Sequence, residues 1–155
     1  MGFNRPTDIQ YRCIQHILDG EDVMAVAPTG TGKTAAFVIP IINHIIKNKR
    51  RGDGIRSLIL VPTRELAKQI SEVVDLIGIK TGVSCLGLYG GVSQDDQIKV
   101  LEKKLDVLVA TPGRMFDLIS QGYIKLEHIE FFVIDEADLM LDLGFNKDIQ
   151  DVLRF

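Results

Sequence analysis

Two short segments of the sequence carry residues that could do chemistry on a phosphate group. Residues 27–34 read APTGTGKT, and residues 135–138 read DEAD. Glycines let backbone amides approach an anion closely, and a lysine adds a mobile positive charge. Carboxylates can bind a magnesium ion and orient a water molecule. Together the two segments indicate a site for metal-assisted phosphoryl transfer.

The segment at residues 27–34 has the features of a phosphate-binding loop. Gly30 and Gly32 permit a tight curl, and a helix that begins near Gly32 points its positive end at the same place. Lys33 can reach the β- and γ-phosphates, and the Thr34 hydroxyl can bind Mg²⁺. The general pattern GxxxxGK[ST] requires glycine where this chain has Ala27. A glycine-rich turn with an incidental lysine is therefore the alternative.

The acidic segment follows an apolar run, FFVI, at residues 131–134. Asp135 would hold Mg²⁺, partly through water, and Glu136 would orient or deprotonate the attacking water. Acids in this position are also typical of a solvated helix start, because carboxylates favour the positive end of a helix. The phosphate loop in the same chain favours the catalytic interpretation, since the two segments complete one site.

The elements that must position these residues alternate along the chain. Apolar runs predict strands at residues 23–27, 57–61, 83–88, 106–110 and 131–134. Helical spacing predicts helices at residues 7–18, 32–46, 63–77, 93–103, 112–121 and 146–153. Alternation of this kind predicts an α/β fold with a mainly parallel sheet and helices on both faces. Polar or glycine-rich segments follow every predicted strand, where such sheets bind ligands.

Length and composition favour one domain spanning residues 1–155 that builds its own core, since 46% of the residues are apolar. The net charge of −3 argues mildly against a dedicated nucleic-acid binder and leaves room for a local site. Cys13 and Cys85 have no metal-site spacing and are predicted to be free thiols in a reducing compartment. No apolar run approaches the roughly 18 residues of a membrane span, so a soluble, cytoplasmic protein is expected, or a nuclear one in a eukaryote.

Several further motifs stand in the order found in one family. Residues 2–10, GFNRPTDIQ, resemble its Q motif, and residues 62–67, PTRELA, resemble its motif Ia. Gly90 and Gly91 resemble its glycine doublet, and residues 111–114, TPGR, resemble motif Ib. With DEAD spelled out, and with alanine in the family's usual first position of the phosphate loop (Walker A), the chain resembles the N-terminal RecA-like domain of the DEAD-box ATP-dependent RNA helicases. The expected fold is therefore that of a RecA-like P-loop NTPase of helicase superfamily 2.

The resemblance implies that the site binds ATP with Mg²⁺. Gln10, supported by Thr7, would read the adenine edge, although TDIQ at residues 7–10 also spells a capping box, and both roles can coexist. Catalysis is assigned to Lys33, Asp135 and Glu136, and the metal to Thr34 and Asp135. The residues predicted to bind the nucleotide are Phe3, Arg5, Thr7, Gln10, Ala27, Pro28, Thr29, Gly30, Thr31, Gly32, Lys33 and Thr34.

The resemblance also implies an RNA path that grips phosphates and sugars without reading sequence. The residues predicted to line it are Pro62, Thr63, Arg64, Gly90, Gly91, Thr111 and Arg114. From the residues alone, plain N-capping by the two threonines and solvated charge for the two arginines stay open. The cations at residues 47–51 are interpreted as a solvated helix end and loop.

In the family a Ser-Ala-Thr motif and a second RecA-like domain follow DEAD, and neither is found in residues 1–155. The isolated domain is therefore expected to hydrolyse ATP poorly. The full-length protein, expected to be a monomer, would close two domains over ATP and RNA and separate short RNA duplexes. A DNA-directed P-loop translocase and a non-catalytic docking module are the alternatives.

Overall fold

The structure is a computed structural model and describes residues 5–48 and 54–154. Its sheet contains four strands in the order β2-β3-β1-β4, and every pairing is parallel. The strands are β1 Ser57–Leu60, β2 Cys85–Leu88, β3 Val107–Ala110 and β4 Phe131–Ile134. In the register, Ala110 lies opposite both Leu60 and Leu88, and Leu60 lies opposite Ile134. The four carboxyl ends therefore form one row along a single edge.

Helices connect the strands and extend beyond them. They are α1 Asp8–Leu18, α2 Lys33–Lys47, α3 Arg64–Gly78, α4 Gln94–Leu101, α5 Pro112–Ser120, α6 Ala137–Asp142 and α7 Asn146–Val152. The short α6 was not predicted from the sequence. Within the described part of the chain, no helix has the length and apolar character that crossing a membrane requires.

The sheet separates two apolar cores, because successive side chains of a strand point to opposite faces. Leu58 and Leu60 of β1 pack into one core with α5 and α6, where Met115 and Met140 are fully buried. Ile59 and the following Val61 belong to the other core, which α2 and α3 cover. Both faces of the sheet are therefore covered by helices, as the alternating pattern predicts.

The predicted strand at residues 23–27 is wrong. This segment forms no strand, and Met24 and Val26 are 95% and 92% exposed. A cavity of about 630 Å³ lies between β4 and neighbouring elements, with Val23 and Ala25 among its lining residues. An apolar run becomes a strand only when its backbone finds hydrogen-bonding partners. Within the described residues no strand pairs with the second side of β4, which is the edge of the sheet.

A cluster of charged and polar side chains around the buried Arg56 fixes the opposite, amino end of the sheet. Arg56, just before β1, donates through Nε to Glu130 Oε1 at 2.8 Å and through Nη2 to Glu130 Oε2 at 3.0 Å. His44 Nε2 of α2 lies 2.7 Å from the same carboxylate. The hydrogen bonds to Glu130 raise the pKa of Arg56 against the effect of burial. This cluster lies away from the row of carboxyl ends and holds α2 against the sheet.

Candidate active site

The phosphate loop is held in a curled conformation by its own contacts. Gly30 and Gly32 have φ values of +79° and +88°, in the left-handed region that favours glycine. The Thr31 hydroxyl donates to the Pro28 carbonyl at 2.7 Å, and Lys33 Nζ donates to the Ala27 carbonyl at 2.7 Å. The loop therefore holds its curl, with the lysine bound to the main chain at its start.

Gln10 joins the first turn of α1 to this loop. Its Oε1 accepts a hydrogen bond from the Thr7 backbone N–H at 3.0 Å, which is one half of a capping box. Its Nε2 donates to the Gly32 carbonyl at 3.2 Å, and the side chain is only 2% exposed. A Cβ at position 32 would lie 2.5 Å from Gln10 Nε2, so Gly32 is needed for this approach as well as for its φ. One amide N–H and one oxygen lone pair of Gln10 remain for a further partner.

The other residues predicted to bind the nucleotide lie before α1, in the loop itself, or at the start of α2. Arg5 lies just before α1 and is exposed, while Phe3 lies outside the described residues. Pro28 and Thr29 are exposed at the outer side of the loop, and Thr34 occupies the first turn of α2. Most of the predicted set therefore lies along residues 27–34 and the adjoining start of α1.

The acidic segment begins where β4 ends. Asp135 follows Ile134, and its Oδ1 accepts a hydrogen bond from the Glu136 backbone N–H at 3.0 Å. Burial raises the pKa of Asp135, and this hydrogen bond and the charge of Lys33 oppose the rise. Glu136 has φ +53° and ψ +50°, a left-handed conformation that costs an ordinary residue free energy and clusters at functional sites. The backbone therefore holds the second acid in a strained direction immediately before α6.

One residue of the phosphate loop and one of the acids meet at a single cavity. Lys33 and Asp135 both line the cavity beside β4, and the lysine charge acts on the carboxylate. No group of three or more His, Cys, Asp or Glu side chains among the described residues could hold a metal by itself. Mg²⁺ typically takes only one or two protein oxygens and keeps phosphate and water as its other ligands. The Asp135 carboxylate, which lines the cavity, is an oxygen ligand of the kind that such a site uses.

The residues predicted to line an RNA path follow the other three strands. Thr63 caps α3, and its hydroxyl accepts from the Leu66 N–H at 3.2 Å, so the N-capping role is real. Thr111 occupies the corresponding position before α5, without a side-chain cap bond. Gly90 and Gly91 are exposed after β2, whereas the side chain of Pro62 is buried, which leaves that residue little surface for RNA.

Two side chains that the sequence interpretation missed hold the arginines of this region. Arg64 lies over the ring of Tyr89, with Cζ 5.8 Å from the centroid, as in a cation–π pair. Arg114 Nη1 donates to Gln97 Oε1 at 2.6 Å. Gln97 is a buried polar residue of α4. The next residue, Ile98, packs against the core. No local pattern marks Gln97, since α4 carries a second glutamine, Gln94, three positions earlier.

Strand order separates the two groups. Asp135 and Lys33 lie at the β4 side of the sheet, and the segments after β2 and β3 lie at the other side. The segment after β1, with Thr63 and Arg64, lies between them. One edge of the sheet thus has two halves. The half with Lys33 and Asp135 is predicted to bind phosphate and is called the phosphate-binding half, and the half with Arg64 and Arg114 is called the cationic half.

Residues 7–155 match the family model described as DEAD/DEAH box helicase. The chain belongs to this family. It is 48% identical over 151 residues to the ATP-dependent RNA helicase DBP3 of Lodderomyces elongisporus, covering 97% of this chain and 28% of that protein. The RNA helicase CrhR of Synechocystis is 44% identical over 154 residues, covering 99% of this chain and 30% of CrhR.

Among solved structures, a hypothetical ATP-dependent RNA helicase from Sulfolobus tokodaii matches with a TM-score of 0.89 and 40% identity. The match covers 99% of this chain and 44% of that one. The chain therefore spans less than a third of the length of these curated relatives and under half of the solved chain. Membership in the family confirms the predicted resemblance and the RecA-like α/β fold.

Proposed function

We propose that the protein containing this chain is an ATP-dependent RNA helicase, and that this domain binds both ATP and the RNA backbone. The observation that carries the proposal is that Lys33 and Asp135 lie together at one end of the sheet edge, while Arg64 and Arg114 lie along the rest of it. The relatives' own names, ATP-dependent RNA helicase and RNA helicase, support this pairing of ligands.

Nucleotide binding would use groups that the free loop already presents. Lys33 would exchange the Ala27 carbonyl for the β- and γ-phosphates, and the amides of the loop would face the same oxygens. The remaining donor and acceptor of Gln10 would pair with adenine N6 and N7. The capping contact to Thr7 and the contact to Gly32 keep this amide oriented.

Hydrolysis requires a positioned water and a base. Mg²⁺, held by Thr34 and Asp135 partly through water, would neutralise charge on the phosphates. The Glu136 carboxylate would orient the attacking water and accept its proton. Its left-handed backbone sets the direction in which the carboxylate leaves the chain. In related enzymes an arginine of this kind raises the rate of hydrolysis about 10³- to 10⁵-fold. A second RecA-like domain would supply it here, so the isolated chain should hydrolyse ATP very slowly.

RNA binding would rely on phosphate and sugar contacts and so be independent of base sequence. A narrow strip of such contacts is compatible with a net charge of −3. Closure of two domains around ATP and RNA would bend one strand and separate short duplexes, and hydrolysis would reopen the cleft. We also propose that the full-length protein acts as a monomer in the cytoplasm.

The test uses the full-length protein with a short, fluorescently labelled RNA duplex. Lys33→Ala should reduce ATP-dependent strand separation to background, because the phosphates lose their mobile cation. Lys147→Ala is the matched control, since Lys147 is exposed on α7. An unchanged ATPase rate in Lys33→Ala would refute the proposal and favour a docking module. Equal separation of the corresponding DNA duplex would instead favour a DNA translocase, because an RNA enzyme should depend on the 2′-hydroxyl.

A further inference from the structure

Gln97 is polar, yet it is the buried residue of its helix. It lies on α4 and is 6% exposed, whereas its neighbours Asp96 and Lys99 face solvent. Burying an amide costs free energy unless its polar atoms form hydrogen bonds. The partners of those hydrogen bonds therefore indicate the role of the residue. Both ends of the amide are paired with groups at the carboxyl edge of the sheet.

The amide bridges two segments of the cationic half. Nε2 donates to the Tyr89 carbonyl at 3.2 Å, directly before the Gly90–Gly91 turn. Oε1 accepts from Arg114 Nη1 at 2.6 Å, and Arg114 Nη2 makes a longer contact of 3.4 Å to the Val92 carbonyl. Arg114 is therefore connected to the residues on both sides of the glycine turn, to Tyr89 through Gln97 and to Val92 directly.

The choice of an amide has an electrostatic consequence. A guanidinium has five N–H donors, and Arg114 spends two of them on Gln97 and Val92. A neutral acceptor orients the group and leaves its charge available, whereas a carboxylate in the same position would neutralise it. The arrangement suits an arginine that must meet a phosphate from a fixed direction.

We infer that Gln97 is a positioning residue for RNA binding, which acts by holding Arg114 against the glycine turn. This inference rests on the proposed function, since it requires that Arg114 contacts an RNA phosphate. It extends the RNA-facing set to a residue that does not touch the RNA. Ordering Arg114 in advance would lower the conformational cost of forming the phosphate contact.

The variant Gln97→Met tests this role, because methionine fills nearly the same space and makes neither hydrogen bond. Gln94→Ala is the matched control: Gln94 is on the same helix and donates to Gln121 Oε1 at the end of α5, so it also links the two helices. The full-length protein is titrated with a fluorescein-labelled oligouridine over a range of salt concentrations. Affinity for a fluorescent ATP analogue reports that each variant is folded.

We expect Gln97→Met to raise the Kd for oligouridine about five-fold and Arg114→Ala about ten-fold, as for one charge-assisted hydrogen bond. Arg114→Ala should also reduce the slope of log K against log salt by about 0.7, the share of one phosphate on a single strand, whereas Gln97→Met keeps the arginine charge and should change the slope less. Gln97→Met should add nothing in the Arg114→Ala background, because both act through one contact. Gln94→Ala should bind as the unmodified protein does.

Two results would overturn the inference in distinguishable ways. If Arg114→Ala weakens RNA binding but Gln97→Met does not, or if the two effects add, Gln97 does not act through Arg114. If Arg114→Ala itself leaves RNA affinity and salt slope unchanged, the proposed RNA path at this position fails, and the inference fails with it. Should Gln97→Met lose ATP-analogue binding, Gln97→Ala in the same cycle decides between these outcomes.

Discussion

The two halves of the sheet edge differ in how ready they are for a ligand. In the phosphate-binding half, Lys33 is bound to the Ala27 carbonyl, and burial disfavours the charged form of Asp135. In the cationic half, Arg114 is held by Gln97, and Arg64 lies over Tyr89. The first half must exchange partners when a ligand arrives, while the second presents groups that neighbouring side chains have already oriented.

This difference suggests that the two halves have different roles in binding. Groups that are oriented in advance lose little conformational freedom on binding, so the cationic half can grip a backbone at low entropic cost. Groups that change partners alter their surroundings, so occupancy of the phosphate-binding half changes the local structure. The half that is proposed to do the chemistry would therefore also be the half whose local structure changes on binding.

Glu136→Gln should have the largest effect that is confined to one half. Removing the carboxylate would take away the proposed base for the attacking water, and loss of a general base typically slows a reaction about 10²- to 10⁴-fold. Phosphate release by the full-length protein should fall by this factor, while its affinity for oligouridine stays unchanged. Glu127→Gln, on an exposed residue outside the site, is the control. A parallel loss of RNA affinity would contradict the different roles of the two halves.

A smaller effect should follow from Gly32→Ala, measured against Gly30→Ala. Both glycines have positive φ, so both variants incur backbone strain of about 1–2 kcal/mol. Only a Cβ at position 32 meets Gln10, at 2.5 Å, whereas position 30 has no atom within 4 Å. Titration with a fluorescent ATP analogue should show that Gly32→Ala weakens its affinity about ten-fold or more. Gly30→Ala should weaken the affinity by a several-fold smaller factor. Equal losses would show that the Gln10 contact contributes nothing to nucleotide binding.

The cationic half offers a corresponding pair of variants. Gly91 has φ +79°, and a Cβ there would lie 2.9 Å from Arg64 Nη1, so Gly91→Ala should push the guanidinium away from its place over Tyr89. We expect RNA affinity to fall about three- to five-fold, with ATP-analogue affinity unchanged. Gly122→Ala has the same strain at φ +81° with no atom within 4 Å, and it should bind RNA normally. If both variants bind RNA equally, the displacement of Arg64 has no consequence.

The smallest effect should be one on stability. The folded protein raises the pKa of Asp135, so it binds the proton more tightly than the unfolded chain does. Its contribution to stability is present below the pKa of the unfolded chain and is lost as pH rises through the folded pKa. Asp135→Asn should therefore raise the Tm of the ligand-free protein slightly at pH 7 and have less effect near pH 4. Thermal unfolding at the two pH values measures this, and a lower Tm at pH 7 would contradict it.

The fold was largely predictable because most elements carry their own local signals. The β4 strand, FFVI, matches its predicted bounds, and Thr63 and Thr111 mark the starts of α3 and α5. Residues 23–27 misled the prediction because an apolar run reports burial tendency and not the presence of a neighbouring strand. The short α6 escaped notice because its six residues are too few to show a helical period.

The candidate site was predictable to the extent that its residues form contiguous motifs. The phosphate loop and the acids are contiguous in the sequence, and Lys33 of the loop and Asp135 of the acids line one cavity. The cytoplasmic location and the roles assigned to individual residues stay predictions. Tyr89 and Gln97 could not be assigned from the sequence, because their importance lies in contacts to Arg64 and Arg114, 25 and 17 positions away. Such pairings depend on how the strands are ordered in the sheet, which no local pattern specifies.

The unpaired side of β4 has a practical consequence. Among the described residues it is an edge with backbone donors and acceptors that no strand occupies, beside the exposed Met24 and Val26. An open edge next to apolar side chains is a template for any extended peptide that reaches it. Concentrated solutions of this chain should therefore tend to aggregate by strand addition, and a charged residue at position 26 should improve its solubility.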